Sequence, residues 1–205
     1  MNLRTVLFVL GILLSILGIA MLLPAIFQFY IGENSESFLT SSFITIFVGI
    51  LLILSNLYSE KRLNLREAFI LTTTSWAGIA LFGSLPFFFS DLEMSFSDSL
   101  FESMSGITTT GSTVIAELDI APKGILMWRA LLQWLGGIGI IVMALTILPF
   151  LGVGGMQLFQ IQSASASEKI LPKTKEISFK IFYIYSSLTF FCFISYHLAG
   201  MKIFD

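Results

Sequence analysis

Five stretches of this chain, at about Thr5–Phe29, Phe38–Tyr58, Ala68–Phe89, Ile125–Leu148 and Phe179–Met201, are long, apolar and almost free of charge. A helix rises about 1.5 Å per residue and a bilayer's hydrocarbon core is about 30 Å thick, so about 20 apolar residues suffice to cross it. The composition agrees: 56% of residues are hydrophobic and 12% charged, whereas about a quarter of a soluble domain is charged. The solvent for most of this chain is therefore the lipid bilayer. The first stretch, preceded by Arg4, is too long for a cleaved secretory segment, lacks an obvious small-x-small cleavage site before polar sequence and is followed by further spans, so it is expected to stay as a transmembrane helix.

Charge placement orients the spans, because lysine and arginine gather in short cytoplasmic loops. Arg4, then Lys61, Arg62 and Arg66, then Lys169, Lys173 and Lys175 occupy alternate connections. The intervening ones carry Glu33 and Glu36, then Asp91, Glu93, Asp98, Glu117 and Asp119. The N-terminus is accordingly expected in the cytoplasm, with the acidic loops outside. With a net charge of −2 there is no basic surplus to hold a nucleic-acid backbone. Nucleic acid is excluded as a partner on that ground. Cys192 is the single cysteine, so no internal disulfide can form.

Between the third and fourth spans, Ser95–Ile107 is too short to cross, and Thr108–Thr113 is polar and contains glycine. Non-helical backbone at membrane depth is tolerated only where it lines water or is buried in protein. The segment is therefore expected to be re-entrant, entering from the outer face. Ser99 and Glu102 fit a capping box, predicting a short helix that starts near Ser99 and ends at Gly106 in a left-handed cap. Its carbonyl end, bearing about half a negative charge, would face the threonines. A potassium-sized cation sheds water only where enough oxygens replace it, and backbone carbonyls and threonine hydroxyls can do so without fixed charge. Thr108, Thr109, Thr110, Gly111 and Ser112 supply such groups, and Gly111 permits backbone angles that a residue with a Cβ adopts poorly. The same composition also occurs in plain connectors.

Other residues bear on this region. Arg129 and Gln133 lie four apart and share a helix face, where an intramembrane charge must be paired or wet. A structural role, tying the fourth span to loop carbonyls or to Glu102, suits Arg129 better than ion contact, because a cation there would repel another. Gly136, Gly137 and Gly139 lack the lysine and hydroxyl of a phosphate loop and suit close helix packing. His197 has no second ligand at metal spacing, and no nucleophile–base pair or carboxylate dyad is evident, so the chain is not expected to be an enzyme. Pro24, Pro86 and Pro149 stand near span ends. Pro149–Gln157 is expected to break the fourth helix and to lead into a polar linker from Gln160 to Glu176.

The run Phe101-Glu-Ser-Met-Ser-Gly-Ile-Thr-Thr-Thr-Gly-Ser-Thr113 resembles the first pore helix and filter of the Trk potassium uptake family, which belongs with the Ktr-type transporters. The resemblance continues through Trp128-Arg129, Gln133-Trp134, Gly136-Gly137-Ile-Gly139 and Leu148–Gln157, and spans essentially the whole chain. It implies an all-α membrane protein: two leading transmembrane helices (1–60), one transmembrane–pore helix–filter–transmembrane unit (61–158), a cytoplasmic linker (159–178), and the first helix of a second unit (179–205). It further implies potassium as substrate, coordinated by the carbonyls of Thr109, Thr110 and Gly111, with Thr108 and Ser112 adjoining. Glu102, Gly106, Arg129 and Gln133 would support the filter, and no covalently bound cofactor is expected. The implied setting is the inner membrane of a prokaryote, as a homodimer with a cytosolic nucleotide-binding regulatory subunit. A single glycine follows the threonines, unlike the longer filter of tetrameric potassium channels, which leaves selectivity over sodium open.

Such pores assemble four helix–loop–helix units around one axis, and this sequence holds one unit and the opening helix of another. Met94 and Asp98 precede the pore helix with M-x-x-x-D spacing, which Met201 and Asp205 repeat. The expectation is the N-terminal portion of a longer transporter. The alternatives are a non-conducting membrane scaffold that works by associating with other transporter chains, and a self-assembled tetrameric pore.

Overall fold

The computed structural model describes residues 3–57, 65–116, 118–151, 170–202 and 204. Among these residues every regular element is helical, and five helical segments are long and apolar enough to cross a membrane: Leu3–Ile31, Glu36–Ser55, Arg66–Phe88, Lys123–Ile141 and Phe179–Leu198. The chain is an all-α membrane protein. Lys61, Arg62, Glu117, Lys169, Asp205, Gly152, Gly154, Gly155 and the serine-rich run 163–167 lie outside the described residues, as do the side chains of Asp119, Pro149, Lys173 and Lys175.

The first span consists of α1 (Leu3–Ala20) and α2 (Leu22–Ile31), interrupted at Met21. Pro24 accounts for the break, since its ring nitrogen cannot donate to the carbonyl of Ala20 one turn earlier. Helix α3 (Glu36–Ser55) follows a short turn in which the Asn34 side chain accepts a hydrogen bond from Glu36 N at 3.0 Å. The third span repeats the interruption: α4 (Leu65–Gly83) gives way at Ser84 to the single turn α5 (Leu85–Phe88), which carries Pro86.

Two chain neighbours of the first span pack through small and hydroxylated residues rather than large apolar ones. A Cβ added to Gly11 would stand 2.7 Å from the Gly49 carbonyl, and one added to Gly49 would stand 2.8 Å from the Gly11 carbonyl. Backbone thus meets backbone where α1 crosses α3. Ser42 then donates across the pair to the Gly18 carbonyl at 2.7 Å, while Ser41 and Thr45 return their hydroxyls to carbonyls on their own helix. Lipid gives no hydrophobic reward for joining two apolar surfaces, so close van der Waals contact and interhelical hydrogen bonds hold such pairs. Many of the large side chains outside this crossing face outward. Ile12, Ile16, Ile19 and Leu23 form an exposed stripe on the first span, and Phe43 and Phe47 stack on the outside of α3.

A short helix, α6 (Phe96–Ile107), lies against α4 and α5. The first half of α7 (Lys123–Leu151) closes this unit, which extends to Gly137. Its anchor is Trp128, fully buried, with Nε1 donating to the Gly83 carbonyl at 2.9 Å and its ring edge-on to Phe38. Leu14, Leu17, Met21, Phe87, Ile125 and Leu132 complete the core. Residues 138–205 form a second unit, comprising the rest of α7 and α8 (Ile170–Leu198). Helix α8 starts well before the apolar run at Phe179 and carries His197 in its last turn.

The α1–α3 crossing yields a test. Gly49→Val would force a side chain into the Gly11 carbonyl and the Ser15 hydroxyl, for which overpacking predicts a loss of about 1–3 kcal/mol. Thermal unfolding in detergent should show a lower midpoint, and an unchanged midpoint would mean that the crossing is looser than described.

Candidate functional site

Helix α6 is capped by Ser95, whose hydroxyl accepts from Asp98 N at 3.1 Å. The expected cap at Ser99 is therefore displaced by one turn. Ser99 is buried within the helix and donates to the Ser95 carbonyl, and Glu102, being in the second turn, serves a different end. The expected stop at Gly106 is also displaced. The helix runs on to Ile107, and Gly106 keeps helical geometry because α7 leaves no room there: a Cβ would lie 3.0 Å from that of Leu132.

Beyond Ile107 the chain reverses. Thr108 N and Thr109 N close the helix on the carbonyls of Met104 and Gly106. Thr109 takes a positive φ of 59° and Gly111 one of 78°, so the backbone twice enters the left-handed region that L side chains rarely adopt. The Ser105 carbonyl receives both Thr110 N at 3.0 Å and Gly111 N at 3.3 Å. The outgoing leg then runs back along α6. Ser105 Oγ donates to the Ser112 carbonyl at 2.6 Å, and one turn earlier Glu102 Oε2 accepts from Thr113 Oγ1 and Val114 N, each at 3.1 Å.

Glu102 is almost fully buried, and its other oxygen, Oε1, is ion-paired with Arg129 Nε on α7. This single carboxylate joins the short helix, the returning leg and the following span. Just past Arg129, α7 meets the end of α6 at Gly136, where a Cβ would fall 1.9 Å from the Ile107 carbonyl oxygen. Gln133, on the same face as Arg129, brings its Nε2 to 3.7 Å from where a Cβ on Gly111 would be.

The chemistry of the loop follows from which oxygens remain. Among the described residues the carbonyls of Thr108, Thr109, Thr110 and Gly111 accept no hydrogen bond, while that of Ser112 is engaged by Ser105. Thr109–Val114 are exposed and lie just past the C-terminal end of α6, where the helix dipole adds partial negative charge. Such an array of carbonyl oxygens can receive a cation. Near the N-terminal end of α6 opens a depression of about 570 Å³, bordered by Glu93, Asp98, Val114 and Ile115. Among the described residues no cluster of histidine, cysteine, aspartate or glutamate could hold a metal ion.

Ser105 was not singled out from the sequence, although it makes more contacts with the loop backbone than any expected residue. Its one local cue is its position, three residues after Glu102 on the polar face of a short helix.

The profile of the TrkH family, described as a cation transport protein, matches residues 34–202. The Trk system potassium uptake protein TrkH of Halomonas elongata is 40% identical over the whole chain, which covers 43% of that protein. The corresponding protein of Vibrio parahaemolyticus is 39% identical with the same coverage. The crystal structure of the potassium transporter TrkH from Vibrio parahaemolyticus superposes with a TM-score of 0.88 at 38% identity, over 100% of this chain and 41% of that one. The chain thus spans less than half the length of the relatives it matches.

Removing one partner of a buried ion pair strands the other charge, which costs about 3–5 kcal/mol. Arg129→Gln should accordingly destabilise the detergent-solubilised protein markedly, and adding Glu102→Gln should restore part of the loss. A double variant no better than Arg129→Gln in thermal unfolding would show that the two side chains are not energetically coupled.

Proposed function

The chain belongs to the TrkH family, described as cation transport proteins, and from that premise we propose that it forms one wall of a potassium pathway, the carbonyls of Thr109, Thr110 and Gly111 being its ion ligands. The observation that carries this reading is the set of carbonyls that, among the described residues, accept no hydrogen bond just past the end of α6, on a backbone turned twice through positive φ. Potassium is chosen over other cations because the relatives are potassium uptake proteins.

One hairpin offers oxygens from one side only. Transport is therefore the property of an assembly in which further walls face Thr109 and Thr110. Glu102, Gly106, Arg129 and Gln133 hold the hairpin in place from behind, and Thr108 adjoins the ligands at the helix end. Ser112 contributes a position in the hairpin rather than a free carbonyl, its oxygen being engaged by Ser105.

The protein resides in the inner membrane of a prokaryote with its N-terminus in the cytoplasm. Arg4 and Arg66 then lie inside, and Glu33, Glu36, Asp91, Glu93 and Asp98 outside, where fixed negative charge raises the local cation concentration. The complete transporter works as a homodimer and meets a cytosolic nucleotide-binding regulatory protein, as the Trk resemblance implies.

Gly111→Ser tests the filter. Holding a residue with a Cβ in the left-handed region costs about 1–2 kcal/mol, which corresponds to roughly a tenfold effect. In the full-length protein carrying this segment, expressed in cells without other potassium uptake, the variant should reach the membrane at normal levels while potassium uptake falls by about that factor. Wild-type uptake by the variant would contradict the assignment.

A further inference from the structure

We infer that Ser105 is a specificity-determining positioning residue, whose hydroxyl sets how many carbonyls this hairpin presents to the ion. The inference rests on the filter reading of Thr109–Gly111 and deepens it.

Two kinds of bond hold the hairpin from α6, and they differ in what they need from the sequence. The Ser105 carbonyl takes Thr110 N and Gly111 N, and any residue at position 105 would supply that oxygen. The bond from Ser105 Oγ to the Ser112 carbonyl, at 2.6 Å, needs a hydroxyl. It is the shortest of the bonds that fasten the outgoing leg to α6, and it falls on the first carbonyl after the free ones. One turn earlier, Glu102 holds the next two residues of the same leg through Thr113 Oγ1 and Val114 N. Ser105 and Glu102, three apart on one helix face, thus pin successive points of the leg.

The consequence is chemical. With Ser105 in place, the Ser112 oxygen is turned back toward α6 and is withheld from the exposed run, in which, among the described residues, the carbonyls of Thr109, Thr110 and Gly111 accept no hydrogen bond. Without the hydroxyl, the Ser112 carbonyl loses its partner and the leg loses one of its restraints. Its peptide can then rotate, changing the number and spread of oxygens around an ion. Discrimination between monovalent cations depends on those two quantities, whether through cavity size or through ligand number and field. Ser105 is buried and uncharged, so the change is confined to one hydrogen bond. Glu102 gives a less clean test, since its substitution also strands Arg129.

The experiment measures potassium and sodium uptake by the full-length protein in proteoliposomes. A net contribution of about 1 kcal/mol for one hydrogen bond corresponds to a change of about fivefold. Ser105→Ala should lower the potassium-to-sodium uptake ratio by about that factor with transport retained, and Ser105→Thr, which keeps the hydroxyl, should restore the ratio. A role confined to helix stability would lower the yield of folded protein and leave the ratio unmoved. A wild-type ratio in Ser105→Ala, or a Ser105→Thr ratio as low as that of the alanine variant, overturns the inference. Should Ser105→Ala fail to insert, Ser105→Cys provides a weak donor of similar size: a smaller drop in the ratio supports the inference and no drop overturns it. Gly111→Ser, assayed in parallel, separates the two claims. If it impairs potassium uptake while Ser105→Ala keeps its selectivity, the filter stands and the Ser105 role falls. If it transports normally, the filter reading falls first.

Discussion

A carboxylate enclosed by protein at membrane depth must satisfy its oxygens from fixed groups, because no water competes to relieve a misplaced donor. Glu102 does this with partners from three separate stretches of chain: the Arg129 guanidinium on one side, and Thr113 Oγ1 and Val114 N on the other. Each partner fixes the others. The arginine is tolerable inside the membrane because of Glu102. The outgoing leg of the hairpin is held in part because Glu102 is aimed by the arginine. Remove this pairing and α7 and the leg lose the one side chain that ties both to α6.

The ion pair works only because the helices approach closely enough to make it. Gly136 lets α7 pass the last carbonyl of α6, and Gly106 accommodates Leu132. Trp128 meanwhile bonds the Gly83 carbonyl at the end of α4. Small, polar and hydrogen-bonded residues thus set the close crossings, around a core of Leu14, Met21, Phe38, Phe87 and Trp128, while many other large apolar groups are turned to lipid. Lipid and protein interiors are equally apolar, so packing and hydrogen bonding decide which surfaces meet.

The spans were legible in the sequence because their cause is local: each needs only sufficient apolar length, and the five segments coincide closely with the expected runs. The short helix was legible as an element but not at its ends. Ser95 and Ser99 are both serines with an acidic residue three positions later, Asp98 and Glu102, so the capping pattern occurs twice in succession. What separates them is that Glu102 is buried against Arg129, a contact between residues 27 positions apart in the chain. Gly106 posed the same problem, since a glycine that ends a helix and one that admits a neighbouring helix look alike until Leu132 is in place. The hydroxyl bond of Ser105 depends on where the chain returns after Gly111, which no local pattern specifies.

The central claim is that the unbonded carbonyls of Thr109, Thr110 and Gly111 hold the transported ion. Anomalous diffraction from crystals of the full-length protein soaked in thallium, a heavy substitute for potassium, locates such ions directly. The account predicts a peak facing these three carbonyls, clear of the Ser112 oxygen. A protein that binds thallium only beside Glu93 and Asp98, or that shows no peak at the hairpin, would contradict it.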